Sequence, residues 1–191
     1  MTAAAADRAF TANILGTLAL ALGDRVEAAT RRTARRGAHG PAALVTVLWY
    51  PDRPIAFLAA RLRISHPGAV QLAERLERDG LLRRVPGADG RTRLLSLTGD
   101  GERLARQVLA ARGTVLDHAL DALDDQALAA VTDATCAMLA ALTEDLLGSE
   151  HMCRMCDEPR CPDQRCPVER AEPSPPHRRG LGYGGQERTS R

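Results

Sequence analysis

The sequence predicts a mainly α-helical protein with a small β-hairpin wing, that is, a winged helix-turn-helix flanked by long dimerisation helices. Three observations carry this. Apolar stripes of helical period occupy both ends of the first 150 residues. Between them lie two short helical segments joined by a very brief turn. Directly after that pair, two strand-like runs bracket the turn "PGADG".

Taken in order, residues 7–36 read as the first helix, with Phe10, Ile14, Leu18, Leu22 and Val26 at four-residue steps. Its end, "RRTARRG", puts basic residues where the helix dipole favours them and Gly37 where a cap is needed. "PAALVTVLWY" is a shorter helix with Leu44, Val47 and Leu48 facing inward, and Pro51 stops it. A third helix, "RPIAFLAARLRIS", restarts at Pro54, a favoured first-turn residue. After the link at Arg63 and Ile64, Ser65 is the N-cap of "HPGAVQLAERLERDG", with Pro67 tolerated in the first turn and Gly80 closing it. "LLRRV" and "TRLLSL" are the wing strands, and their arginines put the hairpin in solvent. Thr98 then caps a long helix. After Asp124 a last helix runs to about Leu147, with Leu128, Val131, Thr135, Met138, Leu142 and Leu146 on one stripe. Cys136 sits beside that stripe as a small buried core residue. These stripes exceed what one small domain can bury. A dimer would solve this.

Composition narrows the setting. No run approaches the roughly 18 apolar residues of a membrane span. "FTANILGTLALALG" fails as a signal peptide because Thr11, Asn13 and Thr17 interrupt it and Asp7 and Arg8 give no positive start. A cytoplasmic location is expected, with no membrane partner. All 26 basic residues are arginine, so a single arginine is weak testimony for a site. Their distribution says more than their number. Residues 52–93 carry nine arginines against five acids, whereas residues 94–150 carry three against ten. One face is built to meet a polyanion and another is not.

At "LAARLRISHPGAVQLAERLERDGLLRR" and "DGRTRLLSLTGDG" the chain resembles the MarR family of bacterial transcription regulators. The second stretch is similar to that family's wing pattern, an Asp-x-Arg pair followed by a strand and Leu-Thr-x-x-Gly. Here these are Asp89, Arg91, Leu97, Thr98 and Gly101. The resemblance covers roughly residues 7–148, within a unit taken as 1–150. It implies a homodimer on a pseudo-palindromic duplex, one recognition helix per subunit in the major groove and each wing near the minor groove. It also implies a sequence-specific regulator of transcription, repression being the default direction, and a pocket for a small-molecule effector between the dimer helices and the winged helix.

The residues themselves agree with that reading. On a helix starting after Ser65, Ala69, Leu72 and Leu76 face the core and Ala73 borders it. His66, Pro67, Val70, Gln71 and Glu74 are left outside, and Gly68 permits close backbone approach. Gln71 can pair with adenine and Val70 can pack on a thymine methyl. His66 can reach a base edge or a phosphate, or simply stay solvated. Ser65 can cap and also lie near the DNA backbone. Arg75 and Arg83 suit phosphates or solvent equally. Arg91 at the wing tip suits a narrow minor groove, with Asp89 bracing the turn and Arg93 sharing the phosphate work.

Other functions fit less well. No nucleophile-base setting and no glycine-rich phosphate loop marks an enzyme; thiol chemistry in the tail is the one enzymatic alternative. Single-strand binding needs stacking platforms. The few aromatics, Phe10, Trp49 and Phe57 above all, sit where helices need core.

Residues 151–170 are set apart by Cys153, Cys156, Cys161 and Cys166, spaced C-x2-C-x4-C-x4-C. Thiols so close in sequence cannot bury a core of their own, and a covalent or metallic link would order them. A four-cysteine Zn²⁺ site matches in part, because the second pair lies closer than in most zinc fingers. Cys161-Pro162 and Cys166-Pro167 keep an iron–sulfur cluster open, and a disulfide switch sensing redox state is a third reading. The fourth is no joint role and no cofactor. Arg154, Arg160 and Arg165 would offset thiolate charge, and His151 could replace a thiol or cap a helix. Residues 171–191, rich in proline, glycine and charge, are expected to be disordered.

Overall fold

The computed structural model describes residues 3–37, 39–88, 91–143, 146–161 and 165–171. Among these, the elements run α1 (Ala3–Ala34), α2 (Gly40–Trp49), β1 (Arg53–Pro54), α3 (Ile55–Leu62), α4 (His66–Arg78), β2 (Leu82–Pro86), β3 (Arg93–Leu97), α5 (Gly99–Leu120), α6 (Asp125–Ala141), α7 (Leu146–Met152), a 3₁₀ turn (Glu158–Arg160) and α8 (Pro167–Ala171). The expected order of helices, helix-turn-helix and wing is therefore present. Asp89, expected to brace the turn, and the tail after Ala171, expected to be disordered, lie outside the described residues.

One core organises the middle of the chain. Leu44, Val45 and Val47 of α2, Leu58 and Leu62 of α3, and Leu72, Ala73 and Leu76 of α4 meet Leu82, Leu95 and Leu97 of the wing and Ala105 and Val108 of α5. Every one of these is an apolar residue at a helical or alternating position, and their burial supplies the main stabilisation. Leu48 is only half-buried against this cluster.

The wing is a three-stranded antiparallel sheet in the order β1-β3-β2. Its hairpin register pairs Leu82 with Leu97 and Val85 with Leu94, and the Gly87 N–H donates to the Thr92 carbonyl at 2.8 Å. β1 was not expected. Two residues are too short to show a period, and Pro54 fits only because β1 is an edge.

Two motif residues lock the wing to α4. Thr98 caps α5 by accepting from the Gly101 N–H at 3.1 Å, and its hydroxyl donates to the Gly80 carbonyl at 2.6 Å. A Cβ on Gly101 would lie 2.0 Å from the Leu81 carbonyl oxygen, so only glycine fits there. Gly80 itself takes φ +70 and closes α4 as its sequence position requires.

Elsewhere three boundaries differ from expectation. α1 ends at Ala34, and Arg35 (φ 50) takes the left-handed cap position expected of Gly37. The Arg36 N–H donates to the Arg31 carbonyl and that of Arg35 to Arg32, a Schellman closure that comes two residues before the glycine. Pro54 is the N-cap of α3 rather than its first residue. The last long helix stops at Ala141 instead of about Leu147. There the Thr143 N–H turns to the Ala140 carbonyl at 3.2 Å, a tighter last turn, and Leu146 opens the separate helix α7.

The arms are a different matter from the core. α1 lies along α5, yet Phe10 is 65% exposed and Leu20 71%. Phe10 is thus no core residue of the subunit. α6 has no buried residue at all: Leu128, Val131, Met138 and Leu142 are exposed, and Cys136 is only half-buried, not a core position.

Candidate functional site

α4 is defined from both sides. Ser65, in extended conformation, accepts from the Gly68 N–H at 3.2 Å and so caps the helix. The Gly68 position is tight for this reason, since a Cβ would meet Ser65 Oγ at 3.1 Å. Ala69, Leu72, Ala73 and Leu76 are buried. His66, Pro67, Gln71, Glu74 and Arg75 are exposed, with Gly68 and Val70 half-buried between the two faces. The helical register inferred from the sequence is the one present.

Ion pairs fix how α4 is held. Arg36, just beyond α1, binds Asp79 at the end of α4 at 2.9 Å, and Arg84 of β2 binds Glu77 at 3.3 Å. Both pairs are partly exposed, so they orient more than they stabilise. Arg83 reaches across the wing to Ser96 Oγ at 3.5 Å, which draws it toward the sheet. Arg91 and Arg93 are exposed at the far end of the hairpin. Ser65, His66, Gly68, Val70, Gln71 and Arg75 thus share one helix, and Arg91 and Arg93 belong to the adjoining wing.

The cysteine segment does not hang free. Trp49 Nε1, at the end of α2, donates to the Cys156 carbonyl at 3.1 Å. Arg61 Nη2, in α3, donates to the Cys153 carbonyl at 3.3 Å, and His151 Nδ1 lies 3.0 Å from the Arg61 carbonyl. Met155 packs on the central core and Val168 is buried. α7 packs against α3, and α8 packs against α6. The segment therefore bridges the helix-turn-helix and the last long helix, where the sequence alone pointed to the long helix only.

The four thiols gather in that bridge. Cys161 interacts directly with Cys166 and Cys156, and Cys153 lies within charge range of Cys156 and Cys166. Burial first, and neighbouring thiols after it, push Cys153 up to about 11 and raise Cys161, and burial raises Cys156. Proximity to Arg112 partly opposes this at Cys156. Cys166 Sγ accepts from the Glu169 N–H at 3.5 Å. Among the described residues, no three His, Cys, Asp or Glu side chains already stand as a ligating group.

Two sequence expectations about the surroundings are corrected. Arg160 points outward and pairs with Asp157 at 3.1 Å, Arg154 donates to the His151 carbonyl at 2.8 Å, and Arg165 is exposed. The guanidinium that enters the segment is Arg61, which local sequence could not reveal because it lies 92 residues away. His151 turns away from the thiols and meets the Arg61 carbonyl in the last turn of α3, a capping contact on another helix; burial lowers its pKa below the usual histidine value, against that bond.

No protein-family model and no curated protein matches the chain. Solved structures do. It is similar to a MarR family protein from Bacillus stearothermophilus (TM-score 0.64, 21% identity, covering 75% of this chain and 99% of that one). It is similar also to the YusO protein from Bacillus subtilis (0.59, 19%, 72% and 97%). A third is MepR, a transcription regulator of the Staphylococcus aureus multidrug efflux pump MepA (0.59, 15%, 69% and 97%). The chain has the winged-helix fold of these structures, the first of them a MarR family protein. Nearly all of each neighbour is matched and at most three quarters of this chain, so the chain carries more than the shared fold.

Proposed function

We propose that the protein is a duplex-DNA-binding transcription regulator that works as a homodimer. The observation that carries the reading is α4, a capped helix whose apolar side is buried and whose outer side offers His66, Gln71, Glu74 and Arg75 to solvent. A helix so presented, beside a basic wing, fits a major groove. Arg91 and Arg93 then approach the flanking minor groove and phosphates. The uncovered stripes of α1 and α6 supply the reason for two copies, because a 17-residue helix with nothing buried is marginal by itself. Two copies of α4 related by a two-fold axis read a pseudo-palindrome, with half-sites about 34 Å apart. MepR is a transcription regulator, and the shared fold supports the same role for this chain.

Binding-site selection on random duplexes, with single-stranded competitors, tests this. A pseudo-palindromic motif is expected, with affinity falling steeply as salt rises. Gln71→Ala should relax one position per half-site by about 1–3 kcal/mol, whereas Arg91→Ala should weaken binding with little change of major-groove preference. Preference for single strands, or an unaltered motif from Gln71→Ala, would contradict the reading.

A further inference from the structure

Arg61 is an arginine at 3% exposure in the first helix of the helix-turn-helix. Its guanidinium lies 4.3 Å from the Tyr50 ring centroid and donates to the Cys153 carbonyl, while its Nε has no hydrogen-bond partner. Among the described residues no carboxylate pairs with it. A buried cation without a counter-anion is costly, and neutral thiols do not supply one. Glu158, the nearest carboxylate, is engaged by the Tyr50 hydroxyl; the other groups around Arg61 that can become anionic are the cysteines, Cys153 first, and Arg112 acts on Cys156.

We propose that Cys153, Cys156, Cys161 and Cys166 bind one Zn²⁺ ion as a four-thiolate site, with Arg61 as its buried counter-cation, and that this site clasps the helix-turn-helix to α6. On binding, four thiols release four protons to solvent and four sulfur–zinc bonds form. Four thiolates and one dication leave a net charge of two minus, which the guanidinium groups of Arg61 and Arg112 can balance. The Glu169 N–H directed at Cys166 Sγ is the kind of donor that supports a metal-bound thiolate. The thiols gathered around Cys161 need only close around the ion, which four cysteines hold tetrahedrally. The clasp follows from the docking. Cys153 and Cys156 are held by Arg61 and Trp49 on the reading head, while Cys166 leads directly into α8, which lies on α6. Metal occupancy thereby sets how firmly the recognition helix is joined to α6. This consequence for DNA rests on the function proposed above; the metal site does not.

Titrating reduced, metal-stripped full-length protein with Zn²⁺ against a chromophoric chelator tests the site. Trp49, the chain's single tryptophan, reports at the same time through its bond to the Cys156 carbonyl. One Zn²⁺ per subunit is expected, with the Trp49 emission change saturating at that ratio. Cys156→Ser with Cys161→Ser should abolish uptake, and Arg61→Met should weaken it by about tenfold. Fewer than about 0.2 ions per subunit, or iron with visible absorption in anaerobically purified protein, would overturn the zinc site. For the clasp, metal-stripped protein should bind its selected duplex about tenfold more weakly, and unchanged affinity at full occupancy and at none would overturn it. Zinc uptake by a protein that binds no duplex would sustain the site and sink the DNA reading.

Discussion

The winged head and the two arm helices are built to opposite standards. Between Gly40 and Thr98 each element buries its apolar side against another: Ala69, Ala73, Leu44 and Leu58 are almost wholly enclosed. α1 between Asp7 and Leu20 and α6 over its whole length are also rich in apolar residues and bury almost none of them; Leu142, the C-cap of α6, is 65% exposed. The head completes itself within one chain, and the arms do not. A region closed by its own residues can hold α4 rigidly, while a region left open can set the distance between two such heads. Apolar surface of this extent, in helical register on two separate elements, is what the proposed second copy would cover.

The strongest way to break the contrast is to charge the arms. Val131→Asp with Met138→Asp places carboxylates on the α6 stripe and should convert a dimer to a monomer, abolishing tight duplex binding while the head stays folded. Sedimentation and circular dichroism read the two effects separately; a variant that remains dimeric would mean that α6 is not the interface. Next in size is a change inside the head. Gly101→Ala drives a methyl into the Leu81 carbonyl and should cost about 3 kcal/mol of stability, seen in urea unfolding. A loss below about 0.5 kcal/mol would mean the α4–wing junction relaxes more freely than a packed core allows. The smallest effect sharpens the comparison. Ser65→Ala removes the cap at the front of α4 and should cost about 1 kcal/mol, leaving dimerisation untouched.

Legibility in the sequence follows the same division. α4, its cap, its buried side and the Thr98 cap of α5 were all readable, because each depends on neighbours within a few residues: periodicity, a capping serine or threonine, a glycine after a helix; the bonds by which Thr98 and Gly101 meet Gly80 and Leu81 span some twenty residues and were not. β1 was missed because two residues carry no period. The break after Ala141 was missed because the apolar stripe runs on past it, through Leu142 to Leu146. The cysteine spacing announced a joint role, but its setting was hidden. Arg61 and Trp49 reach that segment only through the fold, and the nearer arginines, which looked like partners, face solvent or other groups. Local order is written locally; the surroundings of a site are not.

The central claim is a two-copy reader of duplex DNA. Sedimentation of the protein with a fluorescent duplex carrying its selected site measures this most directly. Two subunits per duplex are expected, with the free protein already at twice the 20.5 kDa of one chain at micromolar concentration. One subunit per duplex, or a free monomer at that concentration, would contradict it.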